Sequence, residues 1–144
     1  MKNTDTVSVG SSIPLAWALL IASFFLPTIA AGGNVDSGAA AFTSALVFGG
    51  IYGAVSALTN IVFLSSAIVF FRRKRRVVRV LFLLVTFSFA VNAWWLVRSL
   101  GSDLRIGYYV WLSAFAVLAV GLYTLLRSSP DPDLIDSPEP LTDQ

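Results

Sequence analysis

The stretch "IYGAVSALTNIVFLSSAIVFFRRKRRVVRVLFLLVTFSFAVNAWWLV", residues 51–97, contains two long apolar runs separated by five consecutive basic residues. A helix needs about 20 apolar residues, at a rise of 1.5 Å each, to cross roughly 30 Å of hydrocarbon. Each run is long enough, and each must be helical because lipid offers the backbone no hydrogen-bond partners. The basic gap is so short that the two helices must be antiparallel neighbours. The stretch therefore predicts a hairpin of membrane helices.

The rest of the chain has the same apolar character. Its 144 residues are 56% hydrophobic and only 12% charged, and the mean hydropathy is +0.78. Ordinary soluble domains are much less apolar. Two further apolar runs bring the number of predicted spans to four, at residues 13–31, 51–71, 77–97 and 106–127. We therefore predict an all-α polytopic membrane protein, built as an antiparallel bundle of four transmembrane helices.

The two ends of the chain differ from this bundle. We expect residues 1–12 to form a cytoplasmic leader, and residues 128–144, which are acidic and rich in proline, to form a disordered cytoplasmic tail. The first span also resembles a cleavable signal peptide, with Lys2 before it and small residues after it. Its apolar run of about 19 residues exceeds an ordinary signal-peptide core. We expect the span to be retained, and cleavage would leave three spans in the same orientation.

The segment between the first two spans poses a problem of length. Residues 39–71 would form a helix of about 50 Å, longer than the hydrocarbon requires. We expect the pair Gly49 and Gly50 to break it. A short helix over residues 40–48 would then lie in the outer interface, with Phe42 and Leu46 directed inward. The alternative is one continuous, tilted helix.

The orientation follows from the basic loop. Cytoplasmic placement of this loop puts eight of the ten Lys and Arg residues on that side. We assign its residues to topology and to contacts with inner-face lipid: Arg72, Arg73, Lys74, Arg75 and Arg76. A loop of this kind needs no nucleic acid to explain it. We expect a multi-pass protein of the cell membrane with both termini in the cytoplasm, and the preference for Arg favours a bacterial inner membrane.

Few polar residues lie inside the predicted spans. Antiparallel spans two and three place Asn60 level with Ser88, and Ser56 level with Asn92. Each helix carries its two residues four positions apart and thus on one face. We predict interhelical hydrogen bonds between these faces, which we call the polar stripes. The same side chains are also suited to line a pathway through the membrane.

Small residues mark the predicted packing faces. Gly49 and Gly53 extend the stripe of span two outward and should let another backbone approach closely. Ser113 and Ala116 form a similar face on span four.

The sequence contains neither Cys nor His. Thiolate and imidazole chemistry and Cys/His metal sites are therefore excluded, and we predict no catalytic residue, no metal and no cofactor. The favoured function is that of a small integral membrane protein acting through helix–helix or protein–protein interaction in the bilayer, as an accessory, stabilising or immunity-type subunit. Its partners would be the lipid bilayer and either another protein or further copies of itself. The alternative is an oligomeric small transporter or passive pore lined by the polar stripes.

Overall fold

The computed structural model describes residues 5–31, 34–71, 74–98 and 103–128. Within these ranges the chain is helical apart from one short antiparallel hairpin of strands, so the prediction of a helical fold is confirmed. The elements in chain order are α1 (Asp5–Phe25), β1 (Pro27–Ala31), β2 (Asn34–Ser37), α2 (Gly38–Phe48), α3 (Gly50–Ser65), α4 (Ile68–Phe71), α5 (Arg75–Arg98) and α6 (Ile106–Ser128).

Two of the described helices, α5 and α6, are long and apolar enough to cross a membrane by length and composition. They contain the third and fourth predicted spans. Shorter apolar helical segments cover Ser11–Phe25, Gly38–Phe48 and Gly53–Ser65. Crossing by the first two predicted spans, and hence the four-span bundle, stays a prediction.

Helices α1, α3, α5 and α6 pack around a common apolar core. Gly107, near the start of α6, lies against Thr28, which follows α1, whereas Gly121, near the end of α6, lies against Ser12 and Ile13. The two helices are therefore antiparallel. Aromatic rings fill the centre, and the Phe63 ring meets those of Trp17 at 5.7 Å and Phe115 at 5.1 Å, in both cases edge to face. The largest fully buried side chains in the described ranges include Phe63, Phe115, Leu118, Leu122 and Val85.

Helix α1 has different bounds from the first predicted span, 13–31, whose last residues are not helical. α1 begins earlier, at Asp5, so the predicted leader 1–12 is helical in its described part and Pro14 lies inside the helix. α1 ends at Phe25 and the chain continues as strand β1. Pro27 has no N–H to donate to a helix, and the extended chain finds other partners.

These partners come from both sides of β1. Strand β2 pairs with one edge, with Ala30 opposite Val35. On the other edge, the Ala30 N–H donates to the Asp103 carbonyl at 2.8 Å, and the Arg105 N–H donates to the Thr28 carbonyl at 2.9 Å. The hairpin and the segment before α6 thus form a hydrogen-bonded cap at one end of the bundle.

The predicted break at the glycine pair is confirmed, and the alternative of a continuous helix is wrong. α2 ends at Phe48, and Gly50 starts α3 with a φ of 56°, a left-handed conformation that favours glycine. α2 then packs against the start of α3, where a β-carbon on Gly53 would touch the carbonyl oxygen of Ala45. The close approach expected at Gly49 and Gly53 therefore comes from the preceding helix.

Phe42 and Leu46, the two apolar side chains of α2 considered above, differ in their contacts with the bundle. Phe42 packs edge to face against Phe24 of α1, with ring centroids 6.2 Å apart. Leu46 is 52% exposed and has no such contact with the described part of the bundle, so its expected direction toward the membrane stays a prediction. α2 buries Ala41 and turns Leu46 away from the bundle.

The second predicted span, 51–71, is interrupted. α3 ends at Ser65, a turn follows, and α4 resumes at Ile68. Within the turn the N–H groups of Ser66 and Ala67 donate three residues back, to Phe63 and Leu64, which tightens the end of the helix. Of the basic loop, Arg72 and Arg73 lie outside the described residues, as does the tail 129–144. Lys74 and Arg76 are exposed, and Arg75 is partly buried at the start of α5.

Candidate functional site

The most polar part of the bundle interior centres on Asn92 of α5, which is 2% exposed. Its Oδ1 accepts a hydrogen bond of 2.9 Å from Ser56 Oγ on α3. Its Nδ2 donates to Thr59 Oγ1 on α3 at 3.2 Å and to the Ser88 carbonyl at 2.7 Å. The structure thus brings together Ser56 and Asn92, the pair expected from their depths, and adds Thr59. Both ends of the carboxamide are hydrogen-bonded.

Helix α6 joins this network through Tyr108. Its hydroxyl donates to the main-chain carbonyl of Asn92 at 2.7 Å, and its side chain is buried. Thr59 Oγ1 donates in turn to the Ser56 carbonyl at 2.6 Å. Three helices are therefore connected through one buried residue, Asn92.

The second expected pair, Asn60 with Ser88, is wrong. Asn60 Oδ1 accepts from the indole Nε1 of Trp111 on α6 at 2.9 Å. No hydrogen bond joins Asn60 to Ser88, both of which are within the described ranges, although both are buried. Asn60 follows Ser56 by four residues, which turns it about 40° around the helix axis. That rotation is enough to move Asn60 from α5 to α6.

The two residues of the predicted packing face on span four differ in burial. Ser113 is exposed, and its hydroxyl donates to the Tyr109 carbonyl of its own helix at 2.7 Å. Ala116 is partly buried. α6 instead buries a face that includes Gly107, Leu118 and Gly121. The prediction that Ser113 packs against another helix of this chain is therefore wrong.

A cavity of about 90 Å³ lies beside the network, between the end of α1, α2, α3 and α6. Its wall is mostly apolar and includes Phe24, Phe42, Ser56, Asn60, Tyr108 and Trp111. The sequence pattern alone does not mark Tyr108 and Trp111 as residues of an interior site. Their residue type could have suggested a role in the polar network, because a buried indole N–H or phenol O–H usually finds a hydrogen-bond partner.

Among the described residues, the buried polar atoms without a hydrogen-bond partner include Trp17 Nε1 and Ser66 Oγ. Trp17 contacts the ring of Phe63, and Ser66 follows Phe63 by one helical turn. Unpaired buried groups of this kind reduce stability.

The interior site is electrically neutral. Its polar groups are amides, hydroxyls, an indole and a phenol, and no group of three or more acidic, His or Cys residues gathers within the described ranges. Such a site is suited to hydrogen bonding with an uncharged group.

Comparison with protein-family models, with curated proteins and with solved structures gives no match for this chain.

Proposed function

We propose that this protein is a four-helix integral membrane protein that acts through helix–helix or protein–protein contacts in the bilayer, as an accessory, stabilising or immunity-type subunit. The observation that carries the proposal is the distribution of polarity. Large apolar side chains project outward from every long helix, for example Leu15 on α1, Ile61 on α3, Phe87 on α5 and Val120 on α6, each more than half exposed. Soluble monomers rarely expose contiguous apolar surface on this scale.

The buried polar residues support an interaction role over transport. Ser56, Thr59 and Asn92 bond to one another across two helices. Hydrogen bonds of this kind hold membrane helices together. Because these groups are engaged inside the bundle, the surface left for a partner is the apolar exterior.

The alternative, an oligomeric small transporter or passive pore, receives less support. On the side of Asn60 and Trp111 away from the cap, the bundle is closed by Phe63 and Phe115, which are both 0% exposed. A conduit along the polar stripes would therefore have to run between copies of the chain. Replacement of Asn60 and Asn92 by Leu separates the two functions: a folded variant that has lost solute conduction in liposomes favours the pore.

We further propose a multi-pass protein of the cell membrane, of the bacterial inner-membrane type, with both termini in the cytoplasm. Exposed Lys74 and Arg76 lie at one end of α5, and exposed Trp94 and Trp95 lie towards the other. Basic residues favour the cytoplasmic side, and Trp is enriched at membrane interfaces.

The natural absence of Cys makes this orientation testable without background labelling. Lys74→Cys and Asp103→Cys each place one thiol at an exposed position, at opposite ends of α5. In intact cells, a membrane-impermeant maleimide should label the variant at 103, and should label the variant at 74 only after permeabilisation. Labelling of both variants in intact cells would overturn the orientation.

Crosslinking in native membranes tests the interaction. A photoreactive amino acid is placed at Ile51, Phe87 or Val120, which are exposed on three different helices, and at fully buried Phe115 as the matched control. We expect one of the exposed positions to capture a specific protein, and the control to capture none. A purified chain that stays monomeric and moves solute in liposomes would overturn the proposal.

A further inference from the structure

The cavity beside Asn60 is not needed for contacts on the outside of the bundle, and its chemistry points to a second role. Its volume is about 90 Å³, and none of its lining residues is Asp, Glu, Lys or Arg. Aromatic rings from three helices meet there, Phe24 from α1, Phe42 from α2 and Trp111 from α6. An ion in this space would lack a counter-charge, which disfavours any charged occupant.

Asn60 supplies a hydrogen-bond donor to this space. The Trp111 indole can only donate, so the Asn60 atom it contacts, 2.9 Å away, must be the carbonyl oxygen. The amide nitrogen, Nδ2, therefore occupies the other branch of the side chain. In the described part of the chain it has no acceptor, although Asn60 is only 8% exposed. Asn60 is one of the residues that line the cavity, so its side chain borders this space.

An unpaired amide in a buried position is the kind of group that a bound molecule completes. We propose that the cavity binds a small uncharged molecule, or the uncharged end of a larger amphiphile, whose oxygen accepts a hydrogen bond from Asn60 Nδ2. A carbonyl on an apolar body has this chemistry. A dry cavity of 150 Å³ is known to hold benzene, so about 90 Å³ admits a group of about four non-hydrogen atoms.

The proposal is tested with two small probes of nearly equal shape. Acetone carries a carbonyl oxygen, and isobutene has a methylene carbon in its place; each has four non-hydrogen atoms and so matches the size of the cavity. The full chain is placed in phosphatidylcholine nanodiscs, and binding is followed by saturation-transfer NMR at equal probe concentrations in the bilayer. One net hydrogen bond corresponds to about fivefold in affinity, so the ketone should bind about fivefold more tightly.

Variants locate the binding. Ala41 is buried on α2 and lines the cavity, so Ala41→Leu should fill it and abolish saturable ketone binding. Ala40→Leu adds the same side chain at the neighbouring exposed position and should leave binding unchanged. Asn60→Leu should remove the preference for the ketone. If that variant fails to fold, the probe pair and the two alanine variants still decide the question.

Diether and diester phosphatidylcholine distinguish two sources of the carbonyl. Weaker ketone binding in diester discs means that a lipid ester carbonyl competes for Asn60, and equal binding in both means that the natural occupant is a free molecule. Equal affinity for the two probes, or ketone binding that survives Ala41→Leu, would overturn the proposal. So would the absence of saturable binding, which would leave only trapped water in the cavity.

Discussion

The hydrogen bond between Ser56 Oγ and Asn92 Oδ1 offers a direct test of how the interior polar groups contribute to the fold. The perturbation is a double-mutant cycle built from Ser56→Ala, Asn92→Ala and the double variant. A cycle isolates the pairwise energy, because the effects of each single truncation on its other surroundings cancel. It therefore separates the bond itself from the loss of packing at a residue that is 2% exposed.

The expected magnitude follows from the contacts. Asn92→Ala removes two bonds to α3, from Ser56 and to Thr59. Interhelical bonds in membranes contribute about 0.6 kcal/mol each on average and at most about 1.7 kcal/mol. Asn92→Ala should therefore lower the free energy of unfolding by about 1–3 kcal/mol, packing loss included. The coupling energy with Ser56→Ala should be about 0.6 kcal/mol.

The assay is reversible unfolding in mixed micelles with an increasing fraction of SDS, followed by circular dichroism. Ser113→Ala provides the matched control, because Ser113 is exposed and bonds only within its own helix. Its coupling with Asn92→Ala should be zero. Additive effects of Ser56→Ala and Asn92→Ala, as in the control, would refute the assignment of this bond as an interhelical tie.

Three further changes should alter the free energy of unfolding in the same assay. Trp111→Phe keeps an aromatic ring but removes the bond to Asn60, and should cost about 0.5–1.5 kcal/mol; no loss would mean that this bond is absent from the folded chain. Gly107→Ala places a β-carbon 2.6 Å from Thr28 Oγ1 and should cost about 1–3 kcal/mol, and a neutral effect would contradict the close contact of α6 with the cap. Ser66→Ala removes a buried, unpaired hydroxyl and should stabilise the protein by about 1 kcal/mol. A loss of stability there would indicate a hydrogen bond that the structure does not contain.

The parts of the fold that were predictable are those governed by local patterns. The third and fourth apolar runs lie within α5 and α6, because a long uninterrupted apolar run favours a helix wherever it packs. The break at Gly49 and Gly50 was equally local, since only glycine takes a left-handed conformation without strain. Helix rise and loop length alone were enough to predict that Ser56 and Asn92 lie at the same depth on neighbouring helices, where they form a hydrogen bond.

The predictions from sequence failed where a segment distant in the chain supplied the hydrogen-bond or packing partner. Strand β1 exists because β2 and the segment before α6 both pair with it, and neither is visible from the pattern of residues 27–31. Asn60 bonds to Trp111 instead of Ser88 because the positions of α5 and α6 around α3 decide which helix it faces. Ser113 was assigned to a packing face by its size, but the rotation of α6 turns it outward.

The sequence by itself determined the apolar character of this protein, the course of α5 and α6, the break at the glycine pair, and the absence of Cys and His chemistry. Those properties depend on residue type and on local backbone preference. Only the tertiary structure decided that Asn92 would connect three helices, that α2 would lie on α3, and that Asn60 would face a cavity with its amide nitrogen unpaired. The physical reason is that a hydrogen bond or a cavity depends on the relative rotation of whole helices. That rotation is set by the sum of many weak side-chain contacts across the core.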